Sequence, residues 1–217
     1  REIRILRKKV NAALLISSGV VASNVMAEDA SGWYAGASLG SSSIDVDTNE
    51  AVAAALAAGF ATATATADTN DTAYKLFAGY KVNRNFAVEG GYTDLGKASI
   101  SMVTTGPVAS INAEAKATVW EVNLVGILPI NESFSVFGKL GYHWDDVNAK
   151  AAAISGGTGV AISEDYSGND FKFGVGAEYN INKNVGLRLE FERYNSLADG
   201  SSGTDVDVAS LGMAYRF

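Results

Sequence analysis

Between Val185 and Tyr194 the sequence changes character at every step: Val185, Leu187, Leu189 and Phe191 alternate with Gly186, Arg188, Glu190 and Glu192. A period of two belongs to a β-strand whose faces meet different surroundings. The same period sorts Phe134, Val136, Leu140, Tyr142 and Trp144 against Ser135, Lys139, Gly141, His143 and Asp145. It also sorts Phe171, Phe173, Val175, Ala177 and Tyr179 against Lys172, Gly174, Gly176 and Glu178. Apolar runs beyond the N-terminus stay well under the ~18 residues of a membrane helix, which excludes helical spans there. Glycine at 23 residues and proline at two suit many short strands joined by turns.

Extended along the chain, the alternation predicts eight strands, near 33–41, 71–82, 86–95, 115–128, 133–146, 168–180, 185–195 and 205–217. Each is about ten residues or slightly more, the length of a tilted strand that crosses a bilayer. Short connections at Asn83-Arg84-Asn85, Pro129-Ile130-Asn131-Glu132 and Asn180-Ile181-Asn182-Lys183-Asn184 carry turn residues. Long polar or small-residue connections are expected near 42–70, 96–114, 147–167 and 196–204. Short turns at one rim and long connections at the other are the asymmetry of bacterial outer-membrane barrels.

Orientation separates a membrane barrel from a soluble one, because strand period alone does not. The apolar faces are rich in aromatics, whereas the opposite faces hold Gly, Ser and Ala with isolated charges, too few for a soluble surface. Such faces suit a narrow lumen filled by small residues and paired ions. Trp33, Tyr80, Phe86, Tyr92, Phe134, Trp144, Tyr179, Tyr194 and Phe217 are expected to form the interfacial girdles. The fold class expected is all-β: a closed antiparallel up-and-down transmembrane β-barrel of about eight strands.

The N-terminus reads as a targeting segment. Arg1, Arg4, Arg7, Lys8 and Lys9 precede a small and apolar stretch from Ala12 to Ala22, and Val25-Met26-Ala27 fits a peptidase site, so residues 1–27 are expected to be a signal peptide cut after Ala27. The barrel domain is then 28–217. Without the leader, 12 basic and 23 acidic residues leave a net charge of −11. An acidic chain lacks the cationic face that phosphate binding needs, so no nucleic-acid partner is expected. With no cysteine and one histidine, neither disulfides nor thiolate sites are available.

Three stretches resemble the OmpA-type outer-membrane β-barrel domain: Gly32-Trp33-Tyr34-Ala35-Gly36-Ala37-Ser38-Leu39-Gly40, Leu187-Arg188-Leu189-Glu190-Phe191 and Leu211-Gly212-Met213-Ala214-Tyr215-Arg216-Phe217. The resemblance covers residues 31–217. It implies residence in the outer membrane, and a terminal pattern of Leu211, Met213, Tyr215 and Phe217 similar to the signal read by the barrel-assembly machinery. Two departures are noted. The sequence ends at the last barrel strand, so the peptidoglycan-binding domain of longer relatives, and a cell-wall tether, are not expected; and Ser38 stands where relatives often carry a lumenal basic residue.

Glu89, Glu121, Lys139, Lys172, Arg188 and Glu190 are expected to converge in the lumen, where unpaired ions are costly and paired ones lock the barrel. The bland reading, a structural plug, is preferred to the gate of a narrow pore. His143 beside Asp145 invites a hydrolase reading, but no motif places a serine to complete it, and no catalysis is expected. The pairs Asp45 with Asp47 and Asp205 with Asp207 lack the glycine and terminal glutamate of a dedicated calcium loop. Gly174-Val175-Gly176 lacks the third glycine of a dinucleotide fingerprint, so neither metal nor cofactor is expected. In the first long connection Asn49 could cap a helix from Glu50 to Ala58 ended by Gly59, and Thr62, Thr64 and Thr66 alternate as an extension of strand two would. The function expected is structural or surface-interacting, carried by exposed loops, with a narrow channel for ions or small hydrophobic molecules as the alternative. Expected partners are outer-membrane lipid and lipopolysaccharide, the barrel-assembly machinery, and host or cell-surface ligands, with the barrel a monomer.

Overall fold

The computed structural model describes residues 31–44, 48–198 and 204–217. Ala27 and the proposed leader, and the Asp45 and Asp47 pair, lie outside the described residues. The elements are β1 (Gly32–Ile44), α1 (Thr48–Ala57), β2 (Thr62–Asp68), β3 (Asn70–Lys81), β4 (Phe86–Thr105), β5 (Ala109–Pro129), β6 (Phe134–Ser155), β7 (Thr158–Asn180), β8 (Val185–Leu197) and β9 (Thr204–Arg216). Strands β1, β3, β4, β5, β6, β7, β8 and β9 pair antiparallel in that order, and β9 returns to β1 with Tyr34 opposite Arg216. Closure satisfies the backbone along the whole ring, as a spanning sheet requires.

Three connections at one rim are built alike. Asn83 Oδ1 accepts from the backbone N–H groups of Asn85 and Phe86 (2.8 and 2.9 Å), Asn131 from Ser133 and Phe134 (2.9 and 2.8 Å), and Asn182 from Asn184 and Val185 (2.9 and 2.8 Å). In each, an asparagine amide replaces part of the backbone turn, which is why this residue type recurs there. Tight turns of this kind mark the periplasmic rim of an outer-membrane barrel.

The outer surface is the apolar face. Leu140, Phe173, Leu187, Leu189 and Phe191 are exposed, while Lys139, Lys172, Arg188, Glu190 and Glu192 are buried inside. Trp33 against Tyr80, and Tyr215 against Phe217, mark the lower girdle. Tyr92 against Trp120, and Tyr142 against Trp144 and Phe171, mark the upper one. From Phe134 to Trp144 is ten residues, about 33 Å along a strand and about 24 Å once tilted, which matches the ~25 Å apolar band of such barrels. Tyr194 is not a girdle residue: it is fully buried in the lumen. Its position shares the parity of Arg188, Glu190 and Glu192, and the strand period outranks nearness to a strand end.

The long connections near 96–114 and 147–167 are not loops. They are hairpins that continue β4, β5, β6 and β7 past the upper girdle, turning at 106–108 and 156–157. Strand β2 continues β3 and pairs with Ser99–Thr105 of β4, as the alternating threonines suggest. Helix α1 begins at Thr48, slightly ahead of the expected start, and ends in a Schellman arrangement, with Phe60 N–H donating to Ala55 O (3.3 Å) and Gly59 N–H to Leu56 O (3.1 Å).

Above the upper girdle the polarity of the wall reverses. On β5, Asn112, Glu114 and Lys116 face outward and Ile111, Ala113 and Ala115 inward; below, Trp120, Val122 and Leu124 face outward and Glu121 and Asn123 inward. The outward positions are the even ones throughout, so the pleat is unbroken and only the chemistry changes sides. On β4 a bulge between Asp94 and Lys97, where Gly96 takes φ +78°, adds one residue and moves the outward set from Val88 and Tyr92 to Ser99 and Ser101. The wall is thus lipid-facing below and water-facing above.

Lumen aromatics lie flat against glycine. A Cβ at Gly176 would sit 2.4 Å from the Phe137 ring, and one at Gly36 would sit 2.4 Å from Phe77. Gly176→Val is expected to lower stability by about 1–3 kcal/mol through overpacking. Urea unfolding in detergent micelles checks this, and Phe137→Leu in the same chain is expected to recover part of the loss.

Candidate functional site

The lumen holds four cations and four carboxylates that interlock in two tiers. In the lower tier Lys139 Nζ lies 2.6 Å from Glu89 and 2.8 Å from Glu190, and Arg188 lies 3.0 Å from Glu89 and 2.8 Å from Glu190. In the upper tier Lys75 lies 2.5 Å from Glu121 and 2.8 Å from Glu192, and Lys172 lies 2.5 Å from Glu121 and 2.8 Å from Glu192. Lys139 to Glu192 at 3.7 Å and Lys75 to Glu190 at 3.8 Å connect the tiers. Within each tier every cation thus sits between two carboxylates and every carboxylate between two cations, and Arg188 also lies 3.7 Å from Glu178, which pairs with Arg216. The formal charge of the cluster is zero.

Neutral groups complete the arrangement. Tyr34 O–H donates to Glu89 (3.1 Å) and Tyr194 O–H to Glu121 (2.8 Å), while Asn123 donates to the other Glu121 oxygen (3.1 Å). The Arg188 guanidinium lies between the Phe77 and Phe137 rings (4.5 and 4.6 Å to centroid), and the Lys172 ammonium lies 4.1 Å from the centre of Tyr194. One apolar layer, including Leu95, Val119 and Val206, covers the network above, and another, including Ala87, Val125 and Ala214, covers it below. Buried between these layers, each ion relies largely on the others for solvation.

All six charges expected in the lumen, Glu89, Glu121, Lys139, Lys172, Arg188 and Glu190, point into it, and Lys75 and Glu192 join them. Glu192 follows from the parity of β8. Lys75 is harder to read because β3 has aromatics on both faces, with Phe77 inward and Tyr74 and Tyr80 outward. It stands in register with Ser38, so the neighbouring strand supplies a cation where Ser38 has none.

His143 and Asp145 are buried above the plug. The Nε2 of His143 lies 3.0 Å from the Asn195 carbonyl, and Asp145 accepts from the Ala198 N–H (2.7 Å), so the pair ties β6 to the end of β8. Asp207 is held by Arg193, and Asp205 accepts from the Ser196 N–H (3.2 Å). Among the described residues no group of three or more His, Cys, Asp or Glu side chains is placed to hold a metal ion. Leu211, Met213, Tyr215 and Phe217 all face outward at the lipid surface of β9 and the lower rim.

A closed eight-stranded ring with a charged lumen and an apolar belt narrows the class, and residues 28–217 match the model of the OmpA-like transmembrane domain. The chain belongs to this family. Outer membrane protein A of Klebsiella pneumoniae is 32% identical over 144 residues, covering 65% of this chain and 40% of that protein. Its counterpart from Shigella flexneri is 28% identical over 188 residues, covering 85% of this chain and 48% of that protein. The chain spans less than half the length of these relatives. Among solved structures, the outer membrane protein OprG from Pseudomonas aeruginosa aligns with a TM-score of 0.50 at 16% identity, covering 89% of this chain and 99% of that one, a likeness of fold. As an OmpA-like barrel, this is a protein of the outer membrane, and its belt of exposed Leu, Phe and Trp is the surface that meets lipid.

Proposed function

We propose that this OmpA-like barrel is a structural and surface-interaction protein, closed to ions, that holds a rigid β-walled projection above the outer membrane. The observation that carries the reading is the neutral, mutually paired plug of four cations and four carboxylates across a lumen only eight strands wide. An ion crossing it must displace groups that have no water to replace them. The contacts of the projection would be with cell-surface or host ligands, and those of the belt with lipid and lipopolysaccharide. Leu211, Met213, Tyr215 and Phe217, aligned outward along β9, suit presentation to the barrel-assembly machinery during insertion. The barrel acts as a monomer without chemistry of its own; the Nε2 of His143 lies 3.0 Å from the Asn195 carbonyl, a contact that suits a structural histidine.

Planar-bilayer recording tests the plug. The wild-type barrel is expected to give no steady conductance, and Arg188→Ala to give brief, irregular openings. Steady wild-type openings that vanish when Lys139 or Arg188 is neutralised would instead establish the runner-up, a narrow channel gated by this cluster.

A further inference from the structure

Where the wall polarity reverses, the extended strands enclose an apolar cup. Its volume is 400 Å³, inside the range of small-molecule sites, and it is lined by small aliphatic side chains such as Ile100, Ala115, Val147, Ala149 and Ile162. Its floor is the layer of Leu95, Leu197 and Val206 that caps the plug, so the cup is blind. Had these extensions been simple solvated hairpins, both faces would be polar. Instead Lys97, Ser99, Asn112, Glu114 and Lys150 occupy the outer face and mostly aliphatic residues the inner one, the distribution of a wall with something apolar inside it.

We propose that this cup binds a small aliphatic molecule that carries no negative charge. Charge selection follows from what borders the cup. Glu114 and Lys150 are register partners on the outer face, and Glu114 is bridged to Lys97 at 2.9 Å. Glu164, in register with Ala149, shares the inner face, whereas Lys150, opposite Ser163, stands on the outer one. The carboxylate repels an anionic head, and Tyr166, which also lines the cup, carries a hydroxyl that suits a neutral polar end. The inference goes beyond the surface role proposed above and does not depend on whether the barrel conducts.

The test is methyl-resolved NMR of the full barrel in lipid nanodiscs, titrated with the straight-chain alcohols octanol, decanol and dodecanol. The methyls of Ile100, Val147 and Ile162 are expected to shift and saturate, while those of lipid-facing Leu140 and Leu189 stay fixed. Affinity is expected to rise roughly fourfold per methylene until the cup is full, then level off. Decanoate is expected to bind at least threefold more weakly than decanol, and Glu164→Gln to remove that difference. Ala149→Trp fills the cup and should abolish the saturable shifts, whereas Ala152→Trp, on the outer face of the same strand, should preserve them. The proposal is overturned if the alcohols move lipid-facing and cup methyls alike or never saturate. It is equally overturned if both tryptophan variants bind, or if neither does.

Discussion

Glu89→Ala is expected to destabilise the folded barrel by about 3–5 kcal/mol, the loss that follows when one member of a buried ion network is removed and its partners stay. Glu89 is the lower-tier residue with the most to release, since Lys139, Arg188 and the Tyr34 hydroxyl all converge on it. Without it the four-to-four balance becomes four to three, between apolar layers that admit little water. Equilibrium unfolding in urea, followed by the gel shift between unboiled and boiled samples, reports the change. The double variant Glu89→Gln with Lys139→Met removes one charge of each sign and is expected to recover a large part of the loss. A double variant as unstable as the single one would show that cavity formation, rather than an orphaned cation, sets the cost.

Leu140→Arg is expected to cost about 2–4 kcal/mol, the penalty for a cation on the lipid face near the bilayer midplane. Ala152→Arg, outward on the same strand, is expected to cost less than about 0.5 kcal/mol, as an ordinary surface substitution does. Both residues point away from the barrel axis and both are on β6. The difference comes only from what surrounds the wall at the two heights, and the same unfolding measurement in lipid vesicles reads it. Equal costs would mean that lipid reaches the hairpin extensions or does not reach Leu140.

Most of the ring was legible because β6, β7 and β8 alternate cleanly within the apolar belt. The turns were legible too, since each carries an asparagine whose amide caps the chain. The extensions were harder, although Ile111-Asn112-Ala113-Glu114-Ala115-Lys116-Ala117 alternates as strictly as any strand. Alanine gives a weak apolar signal, and the phase of the pattern inverts near Val119, so a search for one continuous greasy face stops there. In the plug, Glu192 was readable from parity, and Tyr194 would have been had its strand-end position not suggested a girdle. Lys75 required the register with Ser38, a fact of pairing that no single strand encodes.

Because Tyr34 pairs with Arg216 across the seam between β1 and β9, the first strand cannot find its second neighbour until the last one has been delivered. Every shorter arc is a curved sheet with two raw margins, which hydrocarbon will not solvate. Zipping that seam is therefore the step that commits the molecule to the membrane, and a lesion in β1 or β9 should stall assembly with both margins still open.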